Sequence, residues 1–103
     1  MREIFDKIDG DLFIEEDTRL LGMVTGSVTV IAPNHFVLQG MVCRDLIAQQ
    51  GTTVDVHGTV VGAVVNHGAD IEIAGVIGSL QENKGASAAR IIDGAVIKTR
   101  HTL

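Results

Sequence analysis

Glycine recurs along this chain with a period near eighteen residues. Gly22, Gly40, Gly58, Gly75 and Gly94 are separated by 18, 18, 17 and 19 positions. Each opens a similar phrase: GMVTGSV at Gly22, GMVCRDL at Gly40, GTVVGAV at Gly58, GVIGSL at Gly75 and GAVI at Gly94. A fixed period of this kind marks a stack of like units, each of which buries its apolar side only against its neighbours. Eighteen residues are too few for a propeller blade or a helix pair. They suit one coil of a β-solenoid.

The residues before each glycine alternate as half-buried strands do. Val54 and Val56 flank Asp55, and Ile71 and Ile73 flank Glu72. A second short strand follows each phrase, at Val28–Ile31, Leu46–Gln49, Val64–His67 and Leu80–Asn83. Turn-forming segments come next, at APN (32–34), QGTT (50–53), HGAD (67–70) and NKGAS (83–87). The spacing predicts an all-β, single-stranded β-helix of four to five coils with about eighteen residues each, the coils stacked about 4.8 Å apart. A β-sandwich is the rival architecture. Three apolar ladders follow from the register: Val24, Val42, Val60 and Val96; Val28, Leu46, Val64 and Leu80; Leu38, Val56, Ile73 and Ile92. Composition agrees. The chain is 46% hydrophobic yet only 3% aromatic, with twelve glycines against one proline. A narrow interior takes stacked Val, Ile and Leu but few rings, and glycine supplies corners that other residues avoid. At 103 residues there is room for one domain. Residues 1–10 are expected to cap it, 11–97 to form the coils and 98–103 to be a tail.

The phrases GDLFI (10–14), GMVTGSVTV (22–30) and GTVVGAVV (58–65), with the junctions VDVHG and IEIAG, resemble the bactofilins. These are polymer-forming cytoskeletal proteins of bacteria. The resemblance spans about residues 10–97 and implies a right-handed, three-sided β-helix that polymerises end to end without nucleotide. The hexapeptide acyltransferases also use eighteen residues per coil, wound left-handed. A period of six is visible here at Val24, Val30, Phe36, Val42, Ala48, Val54 and Val60, so the residues themselves leave handedness open.

Chemistry is sparse. The four histidines fall in different ladders, whereas a metal site needs three or four converging ligands. His35 is expected to stack with Thr53, Asp70 and Ala89. Cys43 lies outward between Thr25 and Val61 with no base to activate it. Asp55 and Glu72 stack as like charges, an unfavourable arrangement read as a solvated strand face. Asn66 marks the end of the interior and the start of a corner. No catalytic, cofactor or metal site is expected, and no enzyme activity. The net charge of −5 argues against nucleic acid as a partner. The longest uncharged stretch, Leu20–Cys43, is broken by Gly22, Gly26, Pro33, Asn34 and His35, so a membrane role is not expected. Acids stand where a signal peptide needs an apolar run, and one cysteine cannot close an internal disulfide; both favour the cytoplasm.

Charge is polarised along the chain. Residues 1–21 carry a net −4, residues 22–81 a net −3 and residues 82–103 a net +2. In a solenoid, sequence order is axial order, so one end is acidic and the other basic. Complementary ends favour head-to-tail contact, the heterologous geometry that yields rings or filaments. The expected partner is therefore the chain itself, through Phe5, Phe13, Glu15, Glu16 and Asp17 at one end and Ile97, Lys98 and Arg100 at the other. Apolar outward pairs, Met23 with Met41 and Ile47 with Val65, with Val37 nearby, offer a weaker lateral surface. The alternative is a small acidic binding protein, of immunity or antitoxin type, that neutralises a basic protein.

Overall fold

The structure is a computed structural model that describes residues 1–82, 89–92 and 94–102, with backbone alone at 99–102. The described residues form strands and turns without a helix. In chain order the strands are Arg2–Ile4 (β1), Lys7–Ile8 (β2), Leu12–Ile14 (β3), Thr18–Leu20 (β4), Met23–Val24 (β5), Val28–Val30 (β6), His35–Leu38 (β7) and Met41–Val42 (β8). They continue as Leu46–Ala48 (β9), Thr53–Val56 (β10), Thr59–Asn66 (β11), Asp70–Ile73 (β12), Val76–Glu82 (β13), Arg90–Ile91 (β14) and Val96–Thr102 (β15). Every pairing is parallel and joins one coil to the next, giving a β-solenoid of about five turns. Three ladders run along it. One is the sheet β1-β4-β7-β10-β12-β14. The other two share a second sheet bent at a corner, because β11 and β13 run unbroken across the bend.

Alternation along each strand places Val, Ile and Leu inward, where β-branched side chains fit the pleat. The inward columns read Ile4, Leu20, Leu38, Val56, Ile73, Ile91; Ile8, Val24, Val42, Val60, Ile77, Ile97; and Leu12, Val28, Leu46, Val64, Leu80. Most of their middle members are wholly buried. The ladder through Val28 and Leu80 follows the sequence register. The other two slip by one residue in the last coil. Ile77 pairs with Ile97 and Ile73 with Ile91, so Val96 and Ile92 are not the ladder members. The slips run in opposite directions: Ile73 to Ile91 takes eighteen residues and Ile77 to Ile97 takes twenty, where the spacing of Gly75 and Gly94 implies nineteen, so the extra residues fall at the corner between Ile91 and Val96.

The glycine column explains the corner after the first ladder. Leu20 O accepts both Gln39 N–H and Gly40 N–H at 2.9 Å, and Leu38 O does the same for His57 and Gly58. This double acceptance draws each glycine onto the coil before it. A Cβ at Gly22, Gly40, Gly58 or Gly75 would overlap a backbone carbonyl of that coil. Gly94 does not belong to the column, since Ala95 precedes Val96 as Gly75 precedes Val76. Ala95 N–H bonds locally to Ile92 O at 3.0 Å, and Gly94 has φ +93° with open space around it.

Residues 1–10 are not a cap laid over the coils. Arg2, Glu3 and Ile4 pair with Thr18, Arg19 and Leu20, and Lys7 and Ile8 with Met23 and Val24, so they begin the first coil. The expected tail at 98–103 likewise continues β15 as far as Thr102. Val37 lies on the first ladder, away from the Met23–Met41 and Ile47–Val65 pairs, and is 9% exposed.

The second corner is held by side chains that reach one coil onward. Asp11 Oδ1 accepts Ser27 N–H and Asp45 Oδ1 accepts Ala63 N–H, each at 2.8 Å. Gly26 and Gly62 lie beside these carboxylates, where a Cβ would strike the Oδ1 atoms. A hydrogen bond to a charged group contributes about 1.5–3 kcal/mol. Asp45→Ala is therefore expected to lower unfolding free energy by about 2 kcal/mol, and Asp45→Asn by about half that. Urea melts of the two variants check this; equal losses would place the whole effect in the charge of the carboxylate rather than in its shape. At the third corner Asn66, wholly buried, accepts Gly68 N–H at 2.9 Å and Ala69 N–H at 2.7 Å, and so folds the chain out of the interior.

Candidate functional site at the rod ends

A solenoid satisfies its backbone along the axis, so only the end coils retain unpaired strand edges. At the N-terminal end β1, β2 and β3 each close their ladder and pair with the following coil alone. At the other end β14 and β15, among the described residues, pair only with the coil before. The N-terminal edge carries Phe5, 66% exposed, and Phe13, 59% exposed. The opposite edge carries Ile91 and Ile92, both 41% exposed, and Val96 at 47%.

The expected contact residues are distributed as follows. Phe13, Glu15 and Glu16 come together with Arg2 around one shallow depression. Phe5 sits in a second, formed by residues 2–8 along the edge itself. Arg2 reaches Glu16 at 3.8 Å, an exposed pair of little energetic weight. Asp17 is committed within the rod, since its Oδ1 accepts His35 N–H at 2.8 Å. Ile97 is half-buried at the end of an inward column, and Lys98 is exposed. Arg100 occupies the register position after Leu80, and its side chain lies outside the described residues.

A charged seam on the outer face of the first ladder was not foreseen from the sequence. Its central column reads Glu3, Arg19, Val37, Asp55, Glu72, Arg90. Glu3 meets Arg19 at 3.2 Å. Asp55 and Glu72 do stack, but each turns to a partner of its own. His35 Nε2 lies 2.8 Å from Asp55 Oδ2. Arg90 holds Asp70 at 2.8 Å and Glu72 at 3.5 Å. His35 pairs directly with Thr53 and stands two positions along from the residue opposite Asp55, so the contact is diagonal. Direct stacking is all that a repeat alignment tests, and diagonal pairs escape it. The opposite charges in adjacent coils, Glu3 with Arg19 and Glu72 with Arg90, are the signal that would have found the seam.

Elsewhere Cys43 is half-buried, in the outward position between Thr25 and Val61. Among the described residues, no three His, Cys, Asp or Glu side chains are placed to hold a metal ion. No described helix is long and apolar enough to cross a membrane. The end coils present strand edges and exposed apolar side chains, and the sequence is acidic toward one end and basic toward the other. Comparison with models of known protein families, with curated proteins and with solved structures gives no match.

Proposed function

We propose that this chain is a non-enzymatic scaffold of the bacterial cytoplasm that associates with itself through its end coils, as the resemblance to bactofilins implies. One observation carries the reading. Ile91 continues the column Ile4–Leu20–Leu38–Val56–Ile73, whose members from Leu20 to Ile73 are wholly buried, yet it is 41% exposed. An interior that opens to water beside unpaired strand edges invites another strand layer. The fold supports a structural role as well, since its side-chain ladders serve stacking.

Size-exclusion chromatography with light scattering, across concentration and salt, tests the reading, with negative-stain microscopy of the same fractions. Mass that grows with concentration and falls with salt is expected. Lys98→Glu with Arg100→Glu should raise the concentration needed for assembly about tenfold, as expected for end contacts worth roughly 1.4 kcal/mol. A fixed small oligomer at every concentration would overturn self-association and favour capture of a basic protein partner.

A further inference from the structure

The flank of the rod offers a surface of its own. The outward column of the second ladder reads Lys7, Met23, Met41, Thr59, Val76, Val96. A second outward column, two positions along, carries Asp9, Thr25, Cys43, Val61, Gly78 and Lys98. Neither column holds a charge between its two extremes. Val61 is 57% exposed and Val76 37%, while Met23, Met41 and Cys43 are half-buried. The first ladder turns its charged seam outward instead. On the third, Ile47 and Val65 are flanked by exposed Gln49 and His67. We propose that the charge-free flank pairs with the same flank of a second copy, the two rods side by side and antiparallel. This contact is additional to the end contacts proposed above and independent of them.

Charge decides the occupant and its direction. A contiguous apolar surface bounded by charge marks a contact site. The bounding charges here differ in sign along the axis: residues 1–21 carry a net −4 and residues 82–103 a net +2. A second copy laid antiparallel sets each acidic stretch beside a basic one, whereas a parallel copy sets like beside like. Antiparallel pairing is a two-fold arrangement, so one patch serves both copies. Its axis falls between the levels of Met41 and Thr59, the third and fourth of six in the column. Level one of one copy then meets level six of the other, and level two meets level five. Asp9 faces Lys98 across the contact at both extremes, and both are exposed. Between them Met23 faces Val76, and Cys43 faces Val61. The flank is about 24 Å long at the spacing of stacked strands. An interface of this size belongs to the weaker class, so a dissociation constant of about 10 μM is expected.

Cross-linking at mid-rod positions, away from the end coils, tests the pair. Full-length protein carrying Cys43→Ser, Met23→Cys and Val76→Cys is treated with a short bismaleimide and run on a denaturing gel. A covalent dimer is expected, with monomer alone from either single-cysteine variant. A dimer from a single-cysteine variant overturns the antiparallel direction, because it needs the same level in both copies to meet. No dimer from the double variant overturns the pair. Met41→Glu, added to the double variant, should reduce the cross-linked fraction about tenfold, since the two-fold axis brings both carboxylates into the apolar centre. Met41→Thr, which copies the residue of the next coil, should reduce it less. An unchanged yield with both substitutions overturns the face. Mass that grows with concentration should persist in Met41→Glu. Its absence from unsubstituted protein that still cross-links would overturn the end contacts and leave the pair standing. Monomer that binds phosphatidylcholine vesicles, and loses them with Met41→Glu, would assign the flank to lipid and overturn the pair. Thermal melts confirm that the variants fold.

Discussion

Gly40→Ala is expected to cost at least about 3 kcal/mol of folding stability, a large loss for one methyl group. The added Cβ would overlap the carbonyl oxygen of Gly22 and lie 2.8 Å from Leu21 C and O. These are backbone atoms of the coil before, held there by the double hydrogen bond to Leu20 O, and no side chain can swing aside to relieve the clash. Separating the two coils would break the ladder on both sides of the corner. For a domain of this size each kcal/mol shifts the melting temperature by about 4–8 °C, so a fall of 12 °C or more is expected. Gly94→Ala is the control. Gly94 has φ +93° but nothing within 4 Å, so alanine meets only the left-handed conformational penalty, about 1–2 kcal/mol. Similar melting temperatures for the two variants would show that the preceding coil gives way and that closeness of approach does not fix glycine at position 40.

Phe36→Ala carries the second large effect, a loss of about 3–5 kcal/mol. Phe36 is wholly buried, while Phe5 and Phe13 are exposed, so it is the aromatic side chain of the interior. It stacks between Thr18 and Val54, both nearly or wholly buried. Its neighbours are pinned by hydrogen bonds to the coils on either side, which limits their collapse into the space left behind. The cost of a cavity rises with the volume that stays empty. Phe36→Leu should recover more than half of the loss, because it restores most of the volume. Chemical denaturation of both variants checks this. A leucine variant as unstable as the alanine one would point to ring shape rather than filled volume.

Much of this architecture can be read from the residues, and the places where the reading slips have physical causes. From Gly22 to Gly75 the glycine period matches the coil register because each of these glycines meets the same carbonyl. At Gly94 the letter is the same and the role is different. It serves a positive-φ turn in a longer coil, and the extrapolated ladders shift onto Val96 and Ile92 in place of Ile97 and Ile91. The first coil escaped the repeat for the opposite reason. Asp6 stands where later coils carry glycine, and the opening residues read as a cap although they pair as strands. At the candidate site, polarised charge announced the ends, and exposed Phe5 and Phe13 lie there. The role of Asp17 as an acceptor for His35 N–H, and the diagonal His35–Asp55 contact, depend on side-chain reach between coils, which periodicity does not encode.

The glycine column also bears on how such a rod can change in length. Each corner glycine is required by the coil that precedes it, never by the one that follows. No described coil lies ahead of Asp6, which stands opposite Gly22 and carries a side chain. A coil copied within the middle of the rod brings its own glycine and meets a carbonyl already suited to receive it, so growth there needs no other change. A coil added ahead of the first turns Asp6 into an obstacle and calls for glycine in its place. The rod therefore lengthens by internal duplication far more readily than by a coil laid against Asp6.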